Sequence, residues 1–201
     1  MSRRAVSGKH GVLPVLSKHI NKADMTPTEY NQLRAFARVD GIRLAVVWTA
    51  SFACYIVSLS TPVLSMAAVV IALATPFVLS RSTKRYAVAV CGGSVSFRRA
   101  YLYCLLAFFY ASVLFAFVQW IYFAYLDHGT MIDALERVAA SPEGRQAVET
   151  YGLADQLALS MQQLRAMRPI DIALNLLTSN LLVGLVVSLL SALMARLSSR
   201  G

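Results

Sequence analysis

Four apolar stretches, residues 44–59, 63–80, 100–126 and 172–195, carry no Asp, Glu, Lys, Arg or His. Runs of this length and purity predict membrane-crossing helices rather than the core helices of a water-soluble domain. The first run is short for a bilayer, which puts the start of its helix earlier, near Val39 or Arg43. The predicted spans are then about 39–59, 63–80, 98–126 and 170–195. Only Ser60, Thr61 and Pro62 separate the first two, a tight helical hairpin in which Pro62 opens the second helix. Pro76 removes a backbone donor late in the second span and predicts a kink or an end there.

The segments between the runs have patterns of their own. Thr26-Pro27-Thr28-Glu29 reads as a capped helix start, and Tyr30, Leu33 and Ala37 follow on one face. This predicts an amphipathic interfacial helix over 26–43, after a basic, disordered tail at 1–25. The loop at 127–169 is too long to be structureless in a compact protein. Thr130-x-x-Asp133 and Ser141-Pro142-Glu143 are start signals, Gly152 is a stop, and Leu153, Leu157, Met161 and Leu164 recur at helical spacing. The fold class expected is an all-α membrane protein with four transmembrane helices, an amphipathic N-terminal helix and a helical extracytoplasmic loop between spans three and four.

Charge fixes the expected threading. Residues 1–43, 81–99 and the tail after residue 195 hold 15 basic and 3 acidic side chains; residues 127–171 hold 4 and 7. The positive-inside rule puts both termini and the 81–99 loop in the cytoplasm and the 127–171 loop outside. The net charge of +9 is therefore read as headgroup attraction, with anionic lipid on the cytoplasmic side as partner and no nucleic acid.

Candidate chemistry is sparse. Cys54, Cys91 and Cys104 show no metal spacing, and His128 follows Asp127 with no nucleophile in view, so neither a catalytic site nor a cofactor is expected. His10 and His19 fall in the tail. The intramembrane polar groups are Gln119, Asn175, Thr178, Ser179 and Asn180. Buried amides need partners, so Gln119, Asn175, Ser179 and Asn180 form a candidate interhelical hydrogen-bonded cluster between spans three and four, or a substrate site. Gly184, Ser188 and Ser191 allow close helix approach, within the chain, to a second copy or to a membrane-protein partner.

The stretch Cys91-Gly92-Gly93-Ser94-Val95-Ser96-Phe97 matches no phosphate-loop spacing. It reads as a turn: Gly92 and Gly93 supply positive φ, Tyr86 to Val90 and Ser94 to Phe97 form short arms of a small hairpin, and Ser94 or Ser96 caps the third span. Arg98 and Arg99 then reach headgroup phosphates.

This stretch, with Ala100, Ile121-Tyr122-Phe123 and Asp127, resembles the bacterial integral membrane family called domain of unknown function 4199, found mainly in the Bacteroidetes. The resemblance covers about residues 43–196. It leaves the basic head at 1–24 outside, with Met25 as an alternative start. It implies four spans in a bacterial inner membrane and no assigned activity. Such proteins are associated with membrane-bound polyprenyl-phosphate glycosyltransferases as neighbours, which implies one as a partner. The function expected is a non-enzymatic scaffold or accessory subunit for another envelope protein. The alternative is a lipid or small-solute transporter using the polar cluster between spans three and four.

Overall fold

A computed structural model describes residues 25–61 and 63–197. The expectations for the tail at 1–24 with its two histidines, for Pro62 as a helix opener and for the last four residues lie outside the described residues. Among the described residues all regular structure is helical: α1 (Pro27–Ser58), α2 (Val63–Leu73), α3 (Thr75–Val90), α4 (Phe97–Tyr125), α5 (Thr130–Ala139), α6 (Pro142–Tyr151), α7 (Ala154–Ala166) and α8 (Pro169–Leu197). Four stretches are long and apolar enough to cross a membrane: α1, α2 with α3, α4, and α8.

The helix expected over 26–43 and the first span are one element. Thr26 caps α1 and Glu29 closes the capping box. The buried strip Leu33, Ala37, Asp40, Leu44, Trp48 then runs through at helical spacing without a break. At about 48 Å, α1 outreaches a hydrocarbon core of about 30 Å, so one end must project.

The second span bends at Ala74 and continues to Val90, ten residues past the expected end. The sequence predicts an end at Ser80 because Arg81, Lys84 and Arg85 follow. Those side chains occupy one side of the helix, while Leu79, Thr83, Tyr86 and Ala87 are buried on the other. Tyr86 to Val90 are therefore helix, and the small hairpin expected here does not form. The bend has a local remedy. Pro76 cannot donate to the Ala72 carbonyl, and the Thr75 hydroxyl donates to it instead at 2.7 Å.

Gly92 (φ 66°) and Gly93 (φ 91°) reverse the chain after α3, and Ser96 accepts from the Arg99 amide to start α4. Arg98 is exposed. Arg99 instead turns back into the protein, pairing with Glu29 at 2.9 Å and so tying the start of α4 to the start of α1.

Helix α4 is the centre of the bundle. Helices α1 and α8 pack on it, α3 packs mainly on α8, and α2 packs on α1. The α4–α8 seam uses Gly184, Ser188 and Ser191, all buried within the chain. A Cβ at Gly184 would stand 2.5 Å from the Phe108 ring. These small residues therefore serve internal packing; a partner or a second copy does not reach them.

Helices α5, α6 and α7 form a cap over one end, and the basic helix ends and the turn at 91–96 form the other. The start of α5 is not the Thr130 cap expected. His128 (φ 47°) and Gly129 (φ 88°) turn the chain so that the Asp127 carboxylate accepts the amides of Gly129 at 3.2 Å and Met131 at 3.0 Å. Tyr122 donates to the same carboxylate at 3.0 Å. Ser141 caps α6 and Gly152 (φ 63°) ends it, as the sequence indicates. Leu157, Met161 and Leu164 are the partly buried face of α7.

Candidate functional site

The cap roofs a chamber of about 420 Å³. Its walls are Phe52 and Tyr55 of α1, Phe123 of α4, Leu135 of α5, Leu164 of α7 and Ile172 of α8. Three polar residues reach it: Gln119, Asp127 and Asn175. Asp127 is engaged by the three bonds that shape the α5 turn. Asn175 donates through Nδ2 to the Asp171 carbonyl at 3.0 Å, within its own helix. Gln119 differs. The residue is only 5% exposed, and its Oε1 has no hydrogen-bond partner among the described residues. A buried amide oxygen left unpaired costs about 1–3 kcal/mol.

Arg165 of α7 holds the roof together. It forms a two-pronged contact with Glu136 of α5, at 2.9 and 2.8 Å, and reaches Asp133 at 3.1 Å. The guanidinium hydrogen bonds hold the Glu136 carboxyl below the usual carboxylate range, and the same carboxylate holds Arg165 protonated. The pair is open to water, so its strength is that of a screened surface contact.

A second cavity, about 740 Å³, lies between α1, α2 and α3 on one side and α8 on the other. Trp48, Phe108 and Phe115 line it deep in the bundle, and Val183, Val187 and Leu190 line it from α8. Phe52 and Tyr55 line both cavities, so the lateral groove and the chamber share a wall. That wall is part of an aromatic ladder in which Phe52 lies edge-on to Phe115 at 5.8 Å and to Tyr122 at 5.2 Å.

The four residues of the sequence-predicted polar cluster are separated. Gln119 and Asn175 share the chamber, Asn180 lines the groove, and Ser179 is exposed. The reason is helical phase: residues 175 and 180 are five apart and point roughly 140° apart around the axis. Asn175 bonds to backbone one turn away, so the expected hydrogen bond from Gln119 to this helix is not made, and the Gln119 Oε1 stays buried without a partner among the described residues.

One polar site escaped the sequence reading. Asp40 is 6% exposed where α1 crosses α4. Its Oδ2 accepts the Tyr103 hydroxyl, and its Oδ1 accepts Arg43 at 2.7 Å and, more loosely, Arg85 at 3.5 Å. Arg85 also donates to buried Ser82 at 3.0 Å. One carboxylate thus ties α1, α3 and α4 together. The available signal was its place in the apolar strip between Ala37 and Leu44. Among the described residues no three His, Cys, Asp or Glu side chains gather around a metal-sized space.

A family model described as "Protein of unknown function (DUF4199)" matches residues 40–196. No curated protein and no solved structure matches the chain.

Proposed function

The chain therefore belongs to the DUF4199 family, and on that premise we propose a non-catalytic protein of the bacterial inner membrane that holds a lipid-like amphiphile beneath its cap. In this reading it acts as an accessory subunit, offering the amphiphile to another envelope protein. The observation that carries it is a mostly apolar chamber beneath the cap, beside a lateral groove, with the buried amide of Gln119 in its wall. A mostly apolar chamber with a few amide and carboxylate groups in its wall suits a molecule with a hydrocarbon body and a hydrogen-bonding head. The groove between α2 and α8 gives the hydrocarbon a place at bilayer depth. The chamber lies within the range of small-molecule sites, roughly 300–1,000 Å³.

The orientation follows from charge. Among the described residues, those outside the cap and its flanks carry Arg34, Arg38, Arg43, Arg81, Lys84, Arg85, Arg98, Arg99 and Arg196 against Glu29 and Asp40 alone. The positive-inside rule supports a cytoplasmic basic end and an extracytoplasmic cap. Capture would then be from the outer half of the bilayer.

The test is native mass spectrometry of the protein released from its own membrane in mild detergent. One retained amphiphile per chain is expected, and it is lost when Leu135→Trp fills the chamber. No bound amphiphile, or an unchanged load in the variant, would overturn the reading.

A further inference from the structure

A third cavity lies toward the basic end, away from the cap. It is a groove of about 650 Å³ between α3 and α8, lined by Phe77, Val78, Ser80, Arg81, Lys84 and Met194. The lining is graded along α3. Phe77 lies one turn before Arg81, and Lys84 lies nearly one turn beyond, so all three fall on one side of the helix. The groove is therefore apolar toward the bilayer middle and cationic toward the helix end.

Neighbouring contacts decide which cations belong to it. Arg85, also on α3, is drawn toward α1 by Ser82 and Asp40 and does not line the groove. Arg81 is exposed, and no carboxylate among the described residues pairs with it. No Asp or Glu lines the groove. The exposed Arg81 guanidinium, with no carboxylate among the described residues on it, asks for an anion, and the apolar floor asks for a hydrocarbon joined to that anion.

We propose that the α3–α8 groove binds one anionic phospholipid, its phosphodiester between Arg81 and Lys84 and an acyl chain along Phe77, Val78 and Met194. A guanidinium presents paired donors to phosphate oxygens, while the lysine contributes a point charge. The lipid packs against both helices and joins the lower half of α3, below the bend at Ala74, to α8. This site is separate from the chamber under the cap, faces the other leaflet, and stands or falls independently of it.

The experiment uses the full chain in mild detergent, titrated with phosphatidylglycerol, phosphatidylcholine or inorganic phosphate, with thermal unfolding and native mass spectrometry as readouts. Phosphatidylglycerol is expected to raise the unfolding midpoint saturably and to remain as a single adduct. Phosphatidylcholine and inorganic phosphate do neither. The double variant R81Q/K84Q weakens phosphatidylglycerol binding on the order of thirtyfold. The variant R34Q/R38Q removes the same charge elsewhere on the basic end and retains binding. Met194→Trp, which fills the apolar floor and keeps both cations, also loses the adduct. Equal effects of phosphatidylcholine, equal protection by inorganic phosphate, or equal loss in R34Q/R38Q each overturn the proposal.

Discussion

The indole Nε1 of Trp48 donates to the Thr75 hydroxyl at 2.9 Å, and that hydroxyl donates onward to the Ala72 carbonyl at 2.7 Å. The carbonyl is the one that Pro76 leaves without its helical donor. A side chain of the bent span thus completes its own backbone, and a side chain of α1 holds that hydroxyl in place, where no water is at hand to do so. Thr75→Val keeps the shape and removes the hydroxyl, stranding both the carbonyl and the indole. A loss of about 1–3 kcal/mol is expected in thermal or denaturant unfolding in detergent. Thr75→Ser keeps the chain of bonds and should stay near the parent; equal losses in the two variants would show that the hydroxyl is not the cause.

The Asp40 lock depends on close helix approach. A Cβ on the adjacent Gly41 would lie 2.7 Å from the Tyr110 Cβ and 2.8 Å from the Ala107 carbonyl. Backbone cannot swing aside, so Gly41→Ala pushes α1 away from α4 and draws Asp40 from Tyr103. Tyr103→Phe removes the buried partner directly and is expected to cost about 1.5–3 kcal/mol, as for a hydrogen bond to a charged group. Arg43→Gln is expected to cost at most about 1 kcal/mol, because that guanidinium is more than half exposed. Unfolding measurements that reverse this order would place the lock in the salt bridge rather than in the tyrosine.

These two sites also show what was legible in the sequence. The four spans were, because a run such as 100–126 has no other cheap environment than lipid. So were the Ser96 cap and the Gly92-Gly93 reversal, since caps and positive φ are local demands met by local residues. The length of α3 was not. Arg81, Lys84 and Arg85 look like loop until Leu79, Thr83 and Tyr86 are known to be buried on the other side. Asp40 could have been suspected from the apolar strip it interrupts, but its partner Tyr103 lies 63 residues away. The chamber was half legible: Gln119 and Asn175 were picked out as intramembrane amides. Their failure to bond, and the cap above them, depend on how α8 is rotated against α4, which residue types do not encode locally.

Gly184 is a second place where a single methyl should matter. The Phe108 ring that its Cβ would strike is itself held edge-on to Trp48 at 4.7 Å between centroids. Moving the ring away from a new methyl would break that edge-on contact, so Gly184→Ala is expected to cost about 1–3 kcal/mol through overpacking of the α4–α8 seam. Phe108→Leu in the same chain makes room and should recover part of the loss. A double variant no better than the sum of the two singles would refute this contact as the cause.

The roof should loosen in acid. Arg165 depresses the Glu136 pKa in the folded protein, so the pair contributes stability above the ordinary glutamate range. That contribution falls away as the pH drops through the depressed folded value, beginning below about pH 4. Because both partners face water, the effect is local and salt-sensitive. Hydrogen exchange of α5 and α7 amides is expected to quicken on acidification, with the bundle helices unchanged. Arg165→Gln should show fast exchange already at neutral pH and little further response. An acid response as large in Arg165→Gln as in the parent would assign it to another group.

Orientation is open to a direct measurement. Arg145 lies on α6 in the cap and is exposed; Arg38 lies on α1 toward the basic end and is exposed. In the proposed orientation the first lies on the extracytoplasmic side and the second in the cytoplasm. In intact cells a membrane-impermeant maleimide is expected to label Arg145→Cys at once and Arg38→Cys only after permeabilisation. The native Cys54 and Cys91 are half-buried and Cys104 is buried, so the parent protein supplies the background to subtract. Labelling in the opposite order would invert the protein in the membrane. The chamber would then open to the cytoplasmic leaflet and the anionic groove to the outer one, where positive-inside pairing with anionic lipid no longer applies.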